Sequence, residues 1–348
     1  MLTTQDNNTM HTEPRAAQLF LLASRSPRPG DRCRYLAYEV FENYCMTKTR
    51  RWRIKFSLRA FLVTFILLAV SFSVWSVRAQ RQRLAVEWVA SNGGQVLYKY
   101  DRETAGVGND GYVSNAPPPV PKFILNILDI HYFTTATLVS LDNSNSQDLT
   151  PPQALGGMDT LILRDTKFSD FAPLVKHSGL TNLVIENSPV RDLGPLSEIP
   201  NLDSLTLNQV PASKLNPLRN AKKLNYLYIT GCDFADYSNL STLTKLKYLW
   251  LENTSIDSLE PLEKLRLNFI GLHNIGTPDL SPLSSLQQLE TIQLTLLSTD
   301  DVSPLSKLPS VNNILIARMP VTQSQIDALQ RSHPRCKIDF FPMPTGAR

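Results

Sequence analysis

Aliphatic residues recur with a period of 22 from Met158 toward the C-terminal end. The positions that open each window are Met158, Leu180, Leu202, Leu224, Leu246, Leu267, Leu289 and Val311, with a single 21-residue step from Leu246 to Leu267. Each is followed by apolar residues three and five places on. In the window Leu180 to Asn201 these are Leu183 and Ile185, whose two-residue spacing puts both side chains on one face of a short strand. The series continues through Leu205/Leu207, Leu227/Ile229, Leu249/Leu251, Ile270/Leu272, Ile292/Leu294 and Ile314/Ile316. A unit this small cannot bury its own apolar side, so stacked neighbours must build the core. The pattern predicts a solenoid.

The second half of each window turns and returns. In Leu180 to Asn201, Ser188 and Val190 turn the chain, and Leu193, Leu196 and Ile199 bring it back along the opposite side. Asp170, Asp192, Asp236, Asp279 and Asp301 share one offset, and Pro173, Pro195, Pro217, Pro261, Pro282 and Pro304 stand three places beyond it at most turns. An acidic residue ahead of a short helix accepts its free N–H groups, and proline in the first turn gives up no needed donor. These positions predict capped short helical segments on the convex side.

The combination "LxxLxLxx" then "DLxPLxxL" resembles the 22-residue class of leucine-rich repeats, as in internalins, over about Ala136 to Phe340. A degenerate leading unit carries Val139, Leu141, Leu149 and Leu155 at matching offsets. The resemblance implies an α/β fold: a curved right-handed arc with a parallel β-sheet on its concave face and short helical turns on its convex face. At a strand spacing of about 4.8 Å the arc would run on the order of 40 Å. Repeats are assigned to 136–321 and a C-terminal cap to 322–348. In the cap, Thr322 and Gln325 have capping-box spacing ahead of an amphipathic helix reaching about Arg331; Pro334 ends it, and Cys336 to Phe340 form a last strand.

Upstream, Ala60 to Val77 is an 18-residue stretch without a charge, bounded by Arg59 and Arg78. As a helix it spans roughly 27 Å, close to the hydrocarbon thickness of a bilayer. Trp75 stands where an interfacial aromatic is expected. Lys48, Arg50, Arg51, Arg53, Lys55 and Arg59 precede it, and Arg78, Arg81 and Arg83 follow. That excess favours a cytoplasmic N-terminus and an exported, periplasmic or extracellular, repeat domain. Residues 48–59 are read as a basic juxtamembrane segment and 60–77 as an uncleaved signal-anchor. A cleaved signal peptide starting from Met46 is the alternative, but Arg78 is a poor neighbour for a cut near Val77 and Ala79. Residues 1–47 are polar, with little to pack, and constitute either a tail or sequence ahead of a start at Met46.

Residues 78–135 are expected to cap the first coil: a helix from about Gln80 to Ser91 stopped by Gly93 and Gly94, a strand from Gln95 to Tyr100, a proline-rich loop from Arg102 to Pro121, and a second helix near Lys122 to His131. The order of these parts is similar to that of membrane-anchored leucine-rich-repeat proteins of planctomycete bacteria. That likeness transfers a layout and no catalytic residues.

Composition changes little. The 42% hydrophobic content is ordinary for a globular chain, and the net charge of +4 owes much to the basic flanks, so no nucleic-acid surface is implied. The four cysteines, Cys33, Cys45, Cys232 and Cys336, show no CxxC spacing. Cys232 falls at the turn offset where leucine-rich repeats often place Asn or Cys inward, so the resemblance implies a structural role for it. The five histidines, His11, His131, His177, His273 and His333, lack metal-ligand spacing. No phosphate-binding loop, dinucleotide fingerprint, nucleophile elbow or kinase motif is found, and neither cofactor nor metal is implied. Asn239 and Asn253 sit in glycosylation sequons of little weight.

Residues flanking the inward strand pairs project from the concave sheet, and equal offsets become lateral neighbours. One row reads Thr160, Asn182, Ser204, Tyr226, Tyr248, Phe269, Thr291, Asn313; the next reads Ile162, Val184, Thr206, Tyr228, Trp250, Gly271, Gln293, Leu315. Tyr226, Tyr228, Tyr248, Trp250 and Phe269 are therefore expected to form one exposed patch, bordered by Glu252 and His273. Such a patch suits a non-catalytic protein that binds a protein, peptide or glycan. Cross-strand packing that only stiffens the sheet is the structural alternative. A self-associating envelope component and an envelope hydrolase are the other functional readings, the last without a motif to support it.

Overall fold

The computed structural model describes residues 58–102, 107–108, 111–112, 117–276 and 279–344. The tail at 1–47, most of the basic segment at 48–59, Cys33, Cys45, His11 and much of the proline-rich loop lie outside the described residues. The chain divides into two units, Met1–Leu67 and Leu68–Arg348.

In the first unit the described residues are the opening turns of α1, a helix of 34 residues over Leu58–Ser91. Phe61 and Phe65 stack one turn apart at 6.5 Å. Thr64 folds its hydroxyl back onto the carbonyl of Ala60 at 3.0 Å, satisfying it within the helix.

Within the second unit α1 continues without a break, where the sequence predicts an anchor and a separate helix. Arginine, glutamine and alanine after Val77 are good helix formers, and no glycine or proline intervenes before Gly93. What changes is burial. Ala79, Gln82, Ala85 and Val89 are buried on one stripe, Ala85 and Val89 within the core that includes the first coil, and none of the residues from Leu58 to Val77 is. Gly93, at φ +75°, ends the helix as predicted. The N–H of Gly94 returns to the carbonyl of Val89 at 2.9 Å, and a Cβ on Gly94 would meet the Ser140 carbonyl oxygen at 2.6 Å.

Strand β1 (Gln95–Tyr98) follows and is shorter than expected, because Lys99–Arg102 form a helical turn in which Asp101 accepts from the N–H of Tyr98 at 3.0 Å. The helix expected near Lys122 to His131 is two short turns, Lys122–Leu125 and Ile130–Tyr132. Asp129 interrupts them with an extended backbone and accepts from the N–H of His131.

One sheet of 11 strands holds the unit together, its strands ordered as they follow along the chain, while Val107–Gly108 and Gly111–Tyr112 pair apart from it as a two-stranded sheet. β1 is antiparallel to β2 (Ala136–Asp142). Parallel pairing then runs through β3 (Thr160–Arg164), β4 (Asn182–Glu186), β5 (Ser204–Asn208), β6 (Tyr226–Thr230), β7 (Tyr248–Glu252), β8 (Phe269–His273), β9 (Thr291–Thr295), β10 (Asn313–Ala317) and β11 (Lys337–Phe341). The register aligns Leu161, Leu183, Leu205, Leu227, Leu249, Ile270, Ile292 and Ile314 as one spine. With the returning leucines they form a continuous core from Ala85 to Cys336. The architecture is a curved, mostly parallel β-solenoid with short helical turns on the return side.

The aspartates act one residue earlier than a helix N-cap. The cap positions are Phe171, Leu193, Tyr237, Leu280 and Val302, and the preceding Asp accepts from the first helical N–H instead. The bonds are Ala172 to Asp170, Gly194 to Asp192, Ser238 to Asp236, Ser281 to Asp279 and Ser303 to Asp301, at 2.7–2.9 Å. Asp148 and the Ser258 hydroxyl do the same for Thr150 and Glu260.

A second ladder escapes the sequence pattern. The residue after each parallel strand from β2 to β10 is left-handed: Asn143, Asp165, Asn187, Gln209, Gly231, Asn253, Asn274, Leu296 and Arg318. There its N–H points to the last carbonyl of the next strand, as from Asn187 to Asn208 and from Leu296 to Ala317. At the C-terminal end α2 (Gln323–Ser332) covers the last coil with Ile326 and Leu329. Gln325 accepts from the N–H of Thr322 at 2.8 Å, as the spacing predicts.

Candidate functional site: the concave aromatic patch

Register brings the predicted aromatics together on β6, β7 and β8. Tyr226 lies opposite Tyr248, which lies opposite Phe269; Tyr228 lies opposite Trp250. Tyr226 and Tyr248 stack at 4.3 Å and 9°, and Tyr228 and Trp250 at 5.9 Å and 18°. Phe269 joins the two rows, stacking on Tyr248 at 6.3 Å and on Trp250 at 5.9 Å. Trp250 can lean toward Phe269 because its neighbour across the register is Gly271, which has no side chain.

Parallel rings cover one another's faces, so the cluster presents ring edges and phenol hydroxyls to solvent, with open faces only at its ends. Tyr226 and Tyr248 remain 40% and 38% exposed, and the other three rings are half-buried. At the β5 end, Ser204 and Thr206 stand opposite Tyr226 and Tyr228. The drop from tyrosine to these short side chains leaves a recess of about 320 Å³.

Glu252 is fixed beside the rings. Its Oε2 accepts from the Tyr228 hydroxyl at 2.6 Å and from Trp250 Nε1 at 3.1 Å. Burial, then the bond to Glu252 and its charge, push the Tyr228 phenol up to about 12, so it stays a donor at neutral pH. Tyr226 is raised too, by its surroundings and by Tyr248. His273 follows Glu252 across the register, half-buried. Among the described residues no ion pair joins them.

The outward row does not stay open along its whole length. Ile162 is 4% exposed, against the expectation that it faces solvent, because it packs with Leu97 of β1, Leu138 and Val184 in a small apolar cluster on that face. Gly271 is likewise covered, by Trp250. The open aromatic surface is thus confined to the middle coils.

The remaining candidates resolve into structural parts. Cys232 is buried, with its Sγ 3.3 Å from the Thr230 carbonyl, and burial raises its thiol pKa. Cys336 is also a buried free thiol. His177 and His333 each direct Nε2 at a carbonyl of the returning side, Leu155 and Leu305, at 3.0 and 2.9 Å. Among the described residues no three His, Cys, Asp or Glu side chains gather as a metal site. A second recess, of about 610 Å³, runs along the left-handed turns at Asn253, Asn274, Leu296 and Arg318. Nothing in the residue types at those positions announces it in the sequence.

No family model matches the chain, and no curated protein matches it. Among solved structures, an internalin (inlF) from Listeria monocytogenes is similar with a TM-score of 0.52 at 19% identity, over 64% of this chain and 73% of that one. An internalin C2 from the same organism is 26% identical over 52% of this chain and 80% of its own, with a TM-score of 0.44. A leucine-rich-repeat protein from Leptospira interrogans is 17% identical over 58% and 59%, with a TM-score of 0.46. The first likeness is one of fold: an internalin-like leucine-rich-repeat solenoid.

Proposed function

We propose that this chain is a non-catalytic, membrane-tethered leucine-rich-repeat module whose concave aromatic patch binds a protein, peptide or glycan outside the cytoplasm. One observation carries the reading: five aromatic rings on three successive strands keep surface open to solvent in the middle of the sheet, apart from the covered apolar cluster at Ile162 and Val184. Stacking alone would stiffen the sheet equally well with the rings covered. Leaving Tyr226 and Tyr248 well exposed beside a fixed carboxylate offers a partner rigid, amphipathic anchors with little side-chain entropy left to lose.

The tether rests on α1. Its apolar stretch from Ala60 to Val77 has no buried residue, which a core helix would not tolerate. Six basic residues before it and three after favour a cytoplasmic N-terminus. A cleaved signal sequence would pass the same tests of length and composition, and mass measurement of the mature chain separates the two. The 22-residue repeat type and the layout similar to planctomycete membrane-anchored proteins belong to the same proposal.

Joint replacement of Trp250 and Tyr228 by alanine should abolish capture of the partner from envelope extracts while the far-ultraviolet circular dichroism spectrum, which reports the backbone, is unchanged. An Arg219→Ala control on the return side should capture normally. Capture by the double variant at the level of the unaltered chain would remove the patch from the account. Protease digestion of intact and permeabilised cells tests topology independently, with the repeats cut in the compartment that holds them.

A further inference from the structure

Phe123 and Ile127 are the most exposed large apolar side chains outside α1 among the described residues, at 67% and 80%. Both project from the turn that follows Pro121. Helix-type bonding persists there, from the N–H of Asn126 to Lys122 at 3.1 Å and from Leu128 to Ile124 at 2.8 Å. Residues four apart then share a side, so Phe123 and Ile127 form one apolar face, while Ile124, Leu125 and Leu128 turn inward and are half-buried.

The same segment is fastened to α1 where its apolar stretch ends. Tyr132 hydrogen-bonds Ser76 at 2.8 Å, and Trp75 packs edge-on against Tyr132 at 5.3 Å and Phe133 at 6.2 Å. Just beyond, Gln82 donates to the Thr134 carbonyl at 2.9 Å and Arg83 approaches Asp129 at 3.7 Å. Ser76 is one residue from the end of the uncharged run, and Arg78 and Arg81 follow it, exposed. Trp75 and Tyr132 together make the amphipathic aromatic pair that suits a headgroup boundary. Lys122, also exposed, adds a cation to the segment that carries the apolar face.

We propose that Phe123 and Ile127 enter the headgroup boundary of the bilayer that α1 crosses, giving the repeat unit a second lipid contact. This rests on the membrane reading of α1. The physical logic is that of an interfacial segment: a shallow apolar face inserts, and flanking Arg78, Arg81 and Lys122 meet lipid phosphates. A single helix lets its cargo swivel and tilt. A second contact, braced to α1 through Tyr132 and Phe133, fixes how the concave face is presented above the membrane.

The test uses the full chain, with Cys33 and Cys45 replaced by serine, in nanodiscs of phosphatidylcholine and phosphatidylglycerol. An environment-sensitive fluorophore is attached singly at Phe72→Cys, Phe123→Cys, Ile127→Cys or Arg219→Cys, and nitroxide-labelled lipids serve as quenchers. The expected result is blue-shifted emission and loss of intensity to the lipid quencher at 123 and 127, with no loss at 219. Quenching at 72 but not at 123 and 127 overturns the second contact and leaves the anchor standing. Blue-shifted but unquenched emission at 123 and 127 means that protein covers them, and also overturns it. Absence of quenching at 72 removes the anchor, and this inference with it.

Discussion

The indole of Trp250 occupies the space that a side chain at position 271 would need: a Cβ on Gly271 would lie 2.2 Å from Trp250 Cε3 and 2.6 Å from Cζ3. The ring cannot simply swing away, because Nε1 is bonded to Glu252 and its face lies against Tyr228 and Phe269. Gly271→Ala should therefore dislodge the indole, break its bond to Glu252 and open the two-row stack. Overpacking of this kind costs about 1–3 kcal/mol. Thermal denaturation and near-ultraviolet circular dichroism would record the loss of stability and of the aromatic signal. An unaltered aromatic signal would mean that the packing around Trp250 is loose.

Tyr228 and Glu252 make a second checkable pair. Three phenols, Tyr98, Tyr228 and Tyr237, are pushed up to about 12, each mainly by burial. A tyrosine whose folded pKa exceeds its ordinary value of 10.0 contributes stability in full below that value and loses it as pH rises through about 12. Alkaline spectrophotometric titration should show a late-ionising group of tyrosines, and Tyr228→Phe should remove one of them. The substitution retains the ring that stacks on Trp250, so the near-ultraviolet signal should persist. Loss of a normally titrating tyrosine instead would contradict the burial of this phenol and, with it, the bond to Glu252.

The inward ladder was legible because each coil has only one way to bury itself. Leu183, Leu205, Leu227 and Leu249 must be aliphatic, and that demand writes a period into the sequence. The aromatic patch followed from the same register, since positions flanking inward residues can only face outward. Ile162 departs from its row because the apolar group it packs with includes Leu97, which belongs to β1, outside the repeat, and no repeat offset encodes it. The continuity of α1 is hidden in the sequence for a related reason. Charge marks the end of an apolar run, but Arg78, Gln80 and Arg81 continue a helix as readily as leucine does. The left-handed ladder was hidden by chemistry that varies while the backbone does not: Gln209, Leu296 and Arg318 carry no signal for positive φ, unlike Asn143, Asn187, Asn253 and Asn274.

Acidification should weaken the return side of the solenoid. Asp148 and Asp301 are held below the ordinary carboxylate value of 3.8, chiefly by the hydroxyls of Thr150 and Ser303 and then by their N–H groups. For Asp236 and Asp279 the order reverses, with the N–H of Ser238 and Ser281 ahead of the hydroxyls. A carboxylate lowered in the folded state stabilises fully above its unfolded pKa, and that contribution disappears as pH falls through the folded one. Denaturant midpoints should thus decline as pH drops below about 4. Asn at 236, 279 and 301 retains an acceptor oxygen for the turn but does not titrate, so the triple variant should show a shallower decline. An identical pH profile would exclude these turns as its source.

Leu296 stands at φ +55° and is 38% exposed, a backbone region that disfavours leucine where the equivalent turns at 143, 187, 253 and 274 carry asparagine. Its N–H still bonds the Ala317 carbonyl at 3.0 Å, so the coil imposes the conformation on an unsuitable residue. The left-handed region costs an ordinary L-residue roughly 1–2 kcal/mol, and asparagine pays less of it. Leu296→Asn should raise stability by about 0.5–1 kcal/mol, read as a higher denaturant midpoint at unchanged slope. The slope matters because it reports the surface exposed on unfolding, which a purely conformational gain leaves alone. Leu296→Val, whose branched Cβ tolerates positive φ worse, should move the midpoint the other way. If asparagine and valine shifted it equally, side-chain burial at the adjoining recess would outweigh backbone strain at this turn.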